Sequence, residues 1–454
     1  TEAMSWGFSF ATTMGAHVSI GSLPIVYYGN EEQKKKYLPK IANAEMKAAY
    51  ALTEPSAGSD ANSGKTKATI DQENNRYLIN GQKMWITNAG FADLFIVFAK
   101  IEDDKNLSAF IVEKSFGGIT LGEEEKKLGI KGSSTRQVFF TDCPVPEENL
   151  LGEREGGFKI ALNILNSGRI KLAAGSVGGS KFALNKAISY AIERKQFGKS
   201  IAEFAAMKHK MGEMARRIFA AESAVYRTGK NIDQKEQELQ KEGKNENEVK
   251  LEALREFAIE CAMMKVYSTE VLDYCVDEAL QIYGGMGYSA EAGVEMGYRD
   301  ARITRIYEGT NEINRMLAFA ELMKRAFKTK ELNLKQAGKK ISSTLIKRFF
   351  RIQKLTSEQV IENYKNLFLI LSKYSFDAFG MELENEQEVI MNLSDILAET
   401  YVAESVYLRV KKLKQSKGSN STIQHKENIS ALQLYEANIK IVHCANTIVD
   451  SLPD

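Results

Sequence analysis

Cysteine, histidine, proline and tryptophan are all scarce: four, four, six and two among 454 residues. The cysteines, Cys143, Cys261, Cys275 and Cys444, stand far apart with no C-x-x-C pair. That excludes a disulfide framework and reads as reduced, mostly buried thiols in a reducing compartment. The histidines, His17, His209, His425 and His443, form no ligand spacing, so zinc chemistry and a Ser-His-Asp triad lack their parts and no metal is expected. Charge of one sign is missing too, with 61 basic and 59 acidic residues and a net charge of +2. Without a global field, nucleic acid is not an expected partner. No apolar run is long enough to span a bilayer, and no signal peptide opens the chain. The first residue is Thr, within what reads as helical sequence, so an upstream segment and any targeting signal in it are expected to be missing.

What is present is a globular composition, 44% hydrophobic, long enough for roughly two to four domains. Residues 1–49 read as helical, with Asn30 as an N-cap followed by acids in the first turn. From 50 to 152 the pattern changes to short β-rich runs, RYLING, KMWIT, DLFIVFAKI, LSAFIVE and RQVFFTD, punctuated by Gly, Asn and Asp. Crossover helices are absent, which predicts an antiparallel barrel or sandwich. Long helical periods occupy 153–330, interrupted at 233–248 by a charged, solvated stretch that forms a loop or a helix extension. A further helical domain occupies 331–454, with a mobile loop expected at 416–428. The order α, β, α and extra α excludes a doubly wound dinucleotide fold.

Several short stretches can carry chemistry, and each has a plainer reading. ALTEPSAGSDANSGKT (51–66) fails as a phosphate loop, because five residues rather than four separate Gly58 from Gly64. It is either a rigid turn offering Thr53 and Ser59 to a polar planar ligand or an ordinary surface turn. KMWITNAG (83–90) sets Trp85 beside Ile86 and Thr87; an indole can cover an aromatic cofactor, or simply pack in a core. ERKQFGKS (193–200) places Arg194 and Phe197 before Gly198, which suits a pyrophosphate or a helix C-terminus. QIYGGMGY (281–288) is a glycine-rich helix end that lacks the dinucleotide fingerprint.

IYEGTNEINR (306–315) sets the carboxylate of Glu308 after Tyr307 and before Gly309 and Thr310, with Thr310 capping a helix that starts at Asn311. A ligand that buried Glu308 would desolvate it, raise its pKa and make it a base near neutral pH. The plain alternative is a solvated or salt-bridged Glu.

In this order on this plan, LTEPSAGSD, MWITN, ERKQFGK, QIYGGMGY and RIYEGTNEI resemble the acyl-CoA dehydrogenase family over about residues 20–325. LGIKGSSTRQVFF, the segment from VPEENLLGE to NILNSGR, and the extra C-terminal segment of more than 100 residues are most similar to the very-long-chain branch. The resemblance implies an α+β fold: an N-terminal helical segment, a middle antiparallel β-barrel or sandwich, a C-terminal four-helix bundle and an extra helical domain. It also implies FAD as cofactor and a fatty acyl-CoA as substrate, dehydrogenated to a trans-2-enoyl-CoA in the first step of fatty acid β-oxidation. Thr53 and Ser59 would contact flavin and acyl-CoA. Trp85 and Ile86 would lie on the isoalloxazine, with Thr87 near its reactive nitrogen. Arg194, Phe197, Gln281, Gly284 and Gly285 would reach the FAD of a neighbouring subunit, making a homodimer or homotetramer. Thr310 and Asn311 would hold its phosphate side. Asn166 and Arg169 would sit near CoA, with Tyr307 and Gly309 beside the substrate.

Family members place the base either in the YEGT motif, here Glu308, or just before the helix arginine, here Gly168; only Glu308 is a carboxylate. In this family the N-terminal helix lines the acyl tunnel, and Gly15, Ala16 and Ser19 would leave room for a long tail; plain helix packing explains them equally. Electron-transferring flavoprotein is the implied oxidant. AGKKISSTLIKRFFRIQK (337–354) reads either as a helix packed on its domain or as a peripheral membrane contact. The implied location is the bacterial cytoplasm or inner-membrane surface, or the mitochondrial matrix and inner membrane. An acyl-CoA oxidase on the same scaffold and a non-catalytic helical module are the rival readings; peroxide production and flavin bleaching separate them.

Overall fold

The structure is a computed structural model that describes residues 1–326, 355–418 and 420–453. The basic segment 337–354 therefore lies outside the described residues. The chain divides into two compact units: Thr1–Gly179 with Ile232–Glu256 and Tyr288–Glu308, and Ser180–Asn231 with Phe257–Gly287 and Gly309–Asp454.

The first unit opens with α1 (Phe8–Gly15), α2 (Leu23–Tyr28) and α3 (Glu31–Ala42). Asn30 caps α3 in a reciprocal pair with Gln33, and Glu31 and Glu32 lie where the helix dipole favours acids. Tyr37 and Ile41 turn inward to a core shared with Ile25, Leu94, Ile96 and Phe98. The His17 ring ties this layer to the sheet: Nδ1 accepts from the Ala48 N–H at 3.1 Å, which leaves Nε2 to donate to the Ile41 carbonyl at 3.1 Å.

The sheet comprises β1 (Ala48–Ala51), β2 (Lys67–Asp71), β3 (Arg76–Thr87), β4 (Leu94–Ile101), β5 (Ser108–Glu113), β6 (Ile119–Leu121), β7 (Thr135–Pro146) and β8 (Leu150–Leu151). Its order is β6-β7-β3-β2-β4-β5-β8, with β1 also on β4. Most pairings are antiparallel, as the missing crossover helices imply. Two differ: β1 and β2 both run parallel to β4. β3 reverses the chain after β2 and the turn at 88–93 reverses it again, so β4 meets β2 in the same direction. Ala49, Phe95, Val97, Phe110 and Val112 fill one core of the sheet. From Gly157 the period becomes helical, in α4 (Gly157–Glu193).

In the second unit, α4 ends in a two-residue hairpin formed by β9 (Lys195–Gln196) and β10 (Lys199–Ser200). The helices α5 (Ala205–Lys241), α6 (Glu246–Glu256), α7 (Ala258–Tyr283), α8 (Gly285–Tyr288), α9 (Val294–Ala301) and α10 (Asn311–Lys324) follow along the chain, α6 and α9 being parts of the first unit. The charged stretch 233–248 is thus a helix extension and a short turn, held by buried Leu239 and Val249. The extra segment folds as α11 (Ser357–Phe379), α12 (Gln387–Lys417) and α13 (Ser421–Ser451) around Phe368, Leu393, Ile396, Ile441 and Ile448. The loop expected at 416–428 is a correction: α12 runs to Lys417 and α13 begins at Ser421, capped by Asn420 accepting from the Ile423 N–H at 2.9 Å. Its polar composition belongs to two solvated helix ends. All four cysteines are buried, with no disulfide between them. Among the described residues no helix is long and apolar enough to cross a membrane.

Candidate active site

Glu308 sits in left-handed backbone, φ 58°, followed by Gly309 at φ 81°. Two such residues in succession turn the chain sharply, and a non-glycine residue held there stores strain of the kind found at functional positions. The turn aims the Glu308 carboxylate onto α4 at Gly168. A Cβ at Gly168 would lie 2.5 Å from Oε2 and 2.8 Å from Oε1, so a larger residue there would displace the carboxylate. Arg169, 3% exposed, donates from Nε to the Glu308 carbonyl at 3.4 Å and from NH1 to Asn166 Oδ1 at 2.8 Å.

Glu308 lines a cavity of about 290 Å³, together with Thr87, Gly168, Lys171 and Tyr307 and the N-terminal residues Gly15, Ala16 and Ser19. Burial pushes the Tyr307 and Tyr50 hydroxyls well above their usual pKa, and the Glu308 charge adds to both shifts. Lys171 moves the other way. Burial pulls its amine down against the attraction of Glu308, and its Nζ donates to Ser19 Oγ at 3.1 Å.

Two loops of the sheet present the remaining predicted residues of this unit. The 52–66 loop is built round the buried Glu54, whose carboxylate receives Lys83 Nζ at 2.6 Å and the N–H groups of Lys65 at 2.6 Å and Thr66 at 3.1 Å. Those are the backbone donors a phosphate would need, and the chain's own acid takes them; β2 rather than a helix follows. Burial brings Lys83 down to about 8. Thr53, half-buried, accepts from the Met84 N–H at 3.0 Å, which fastens the loop to β3; Ser59 is exposed. In β3 the register against β7 slips between Lys83 and Ile86. That bulge puts Trp85 at φ 60° and leaves it 53% exposed, while Ile86 is buried and Thr87 reaches the cavity.

In the second unit Thr310 caps α10 by accepting from the Ile313 N–H at 3.3 Å. Asn311 is buried, its Oδ1 receiving the fully buried Lys265 Nζ at 2.8 Å; the same amine donates to the Gly309 carbonyl at 2.7 Å. Arg194, Phe197, Gln281, Gly284 and Gly285 are all exposed. Phe197 stands out at 93%, on the tip of the β9–β10 turn at φ 51° beside Gly198 at φ 79°.

Glu54, Lys83, Lys171, Lys265 and Tyr50 were not singled out in the sequence. Lys83 carried a signal, since it shares the strand parity of buried Tyr77 and Ile79. So did Lys265, alone in the apolar run AMMKV.

The geometry coincides with one family. Acyl-CoA dehydrogenase domain models match along the chain: the N-terminal domain at 1–45, the middle domain at 49–143, and C-terminal domains at 155–323 and 363–453. The chain is 44% identical to a probable acyl-CoA dehydrogenase of Bacillus subtilis over 428 residues, 93% of this chain and 72% of that protein. This chain belongs to the acyl-CoA dehydrogenase family. The very long-chain specific mitochondrial enzyme of Rattus norvegicus is 43% identical over 314 residues, 67% of this chain but 45% of that protein. A solved structure of an acyl-CoA dehydrogenase complexed with FAD from Bacillus anthracis superposes with a TM-score of 0.95 at 43% identity, over 100% of this chain and 77% of that one.

Proposed function

We propose that this chain is an FAD-dependent enzyme that removes the α-proton and a β-hydride from a long-chain fatty acyl-CoA, giving the trans-2-enoyl-CoA, with Glu308 as base. The observation that carries the reading is the Glu308 carboxylate, turned by left-handed backbone into a cavity it shares with Thr87, over a glycine that leaves it room. The residues present fit a flavin: a half-exposed indole at Trp85, set out from its strand by a bulge, stands two residues from cavity-lining Thr87. FAD, when bound, supplies the hydride acceptor.

The chain's part is positional and electrostatic. Glu308 takes the α-proton, and its backbone N–H polarises the thioester carbonyl, stabilising enolate charge. Arg169, steadied by Asn166, holds the Glu308 carbonyl from α4, a supporting place that complements the CoA contact the resemblance implies. Tyr307 and Gly309 flank the base on either side. Lysine 83 and Glu54 fix the loop that offers Thr53 and Ser59 to flavin and substrate. Gly15, Ala16 and Ser19 leave space along the cavity for an acyl tail. Arg194, Phe197, Gln281, Gly284 and Gly285 form an exposed group suited to a neighbouring subunit's FAD, with Thr310 and Asn311 on the phosphate side of the chain's own. Electron-transferring flavoprotein is the proposed oxidant.

The test is anaerobic bleaching of the yellow protein by palmitoyl-CoA. Wild type should bleach within the assay. Glu308→Gln should keep FAD and bind the thioester yet lose about 10²–10⁴-fold in bleaching rate, the scale of a general base. Rapid bleaching by that variant would remove Glu308 from the role. Reoxidation by oxygen as fast as by electron-transferring flavoprotein would make the enzyme an oxidase.

A further inference from the structure

We propose that Lys171 is a positioning residue that sets the ionisation of Glu308 through space, keeping the carboxylate charged in the cavity until substrate arrives. The inference rests on the reading of Glu308 as base, and it stands on helix geometry. Gly168 leaves the room the carboxylate occupies, and Lys171 lies three residues on, so both occupy one face of α4 and both line the cavity with Glu308. Lys171 lines a cavity whose walls mix Met4, Phe8, Val18 and Leu172 with Ser5, Thr12, Ser19 and Ser176. Its Nζ donates to Ser19 Oγ at 3.1 Å, a neutral partner that steadies the amine and leaves its charge in place.

Charged and titratable groups near Glu308 include Arg169 and Lys171 from α4, Tyr50 from β1 and Tyr307 from its own turn, with Asp300 from α9 acting on Tyr307. Both tyrosines stay neutral, since burial raises them. Arg169 donates to the Glu308 carbonyl and to Asn166, and Lys171 lines the cavity itself. An opposite charge nearby lowers a carboxyl pKa, against the rise that desolvation imposes.

The experiment uses FAD-loaded enzyme and the pH profile of kcat/KM, whose acid limb reports the free enzyme's base. Lys171→Met should move that limb to higher pH by about one unit, so that on the acid side kcat/KM falls about tenfold while the alkaline plateau changes little. Lys171→Arg should keep the limb of wild type. A lysine with a purely structural role would lower the plateau without moving the limb. A second readout needs no turnover: infrared titration of the Glu308 carboxyl in substrate-free protein, isolated as the difference from Glu308→Gln, should show the same displacement. If Lys171→Met fails to fold, Lys171→Gln carries the same expectation. Coincident titrations in wild type and either neutral variant would overturn the proposal. Bleaching retained by Glu308→Gln would overturn the base assignment alone, because the infrared titration still reports whether Lys171 acts on that carboxyl.

Discussion

The Cβ that Gly168 lacks would lie 2.5 Å from Glu308 Oε2. The two residues therefore compete for one space. Gly168→Ala should expel the carboxylate from its seat. The atoms met are the far end of a flexible side chain, so the carboxylate swings aside and the melting temperature should change little. Misplacing a base by about an ångström can cost on the order of 10²-fold in kcat. FAD content should persist. Steady-state turnover with palmitoyl-CoA checks this; wild-type kcat in Gly168→Ala would show that the close approach is unimportant.

Only two tryptophans occur in the chain, Trp6 and Trp85. That makes emission a direct probe of the bulge in β3. Loading the apoprotein with FAD should quench tryptophan fluorescence, and Trp85→Phe should remove the larger part of the quenching. The phenyl ring keeps some stacking, so affinity should fall by less than the roughly 1 kcal/mol attributed to a good aromatic pair. Quenching that survives in Trp85→Phe would place the flavin away from this strand.

Much of this site was legible because its pieces are local. A carboxylate placed directly before Gly309 and a threonine cap at Thr310 are written in neighbouring residues, while the left-handed backbone at Glu308 is not. What was not legible depends on partners distant in sequence. The bulge at Trp85 exists only against the register of β7, and the parallel course of β4 follows from how β2 and β3 are joined. Lys171 gains meaning only once Glu308 is known to lie over Gly168, 140 residues earlier in the chain. Glu54 carries no local mark of its burial, because charge in a sequence does not say which face of a loop it takes.

In the second unit Glu213 receives the guanidinium groups of Arg216 and Arg217, one turn along α5. Burial pushes its carboxyl up, but hydrogen bonds and charge from the two arginines outweigh that and bring it down to about 2. A carboxyl depressed on folding contributes stability that is fully present above its unfolded pKa and is lost as pH falls through the folded one. The window is therefore between about 4.5 and about 2. With solvent screening, the contribution is about 1–2 kcal/mol. Glu213→Gln should melt below wild type at pH 6, and the gap should close as pH approaches 2. A gap that widens on acidification would contradict the assignment.

Glu54 and Lys83 test which partner of a buried ion pair matters more. Removing one partner of such a pair leaves an uncompensated charge and costs about 3–5 kcal/mol. Here the two removals are unequal. In Lys83→Met the Glu54 carboxylate still receives the Lys65 and Thr66 N–H groups. In Glu54→Ala the Lys83 ammonium keeps the Leu52 carbonyl at 3.1 Å, and both backbone donors lose their acceptor. Glu54→Ala should therefore be the more destabilised in urea melts, and it should also lose FAD, because the loop carrying Thr53 and Ser59 is shaped round that carboxylate. Lys83→Met should fall between it and wild type in stability and keep the flavin. The reverse order would mean that the lysine, rather than the acid, organises the loop.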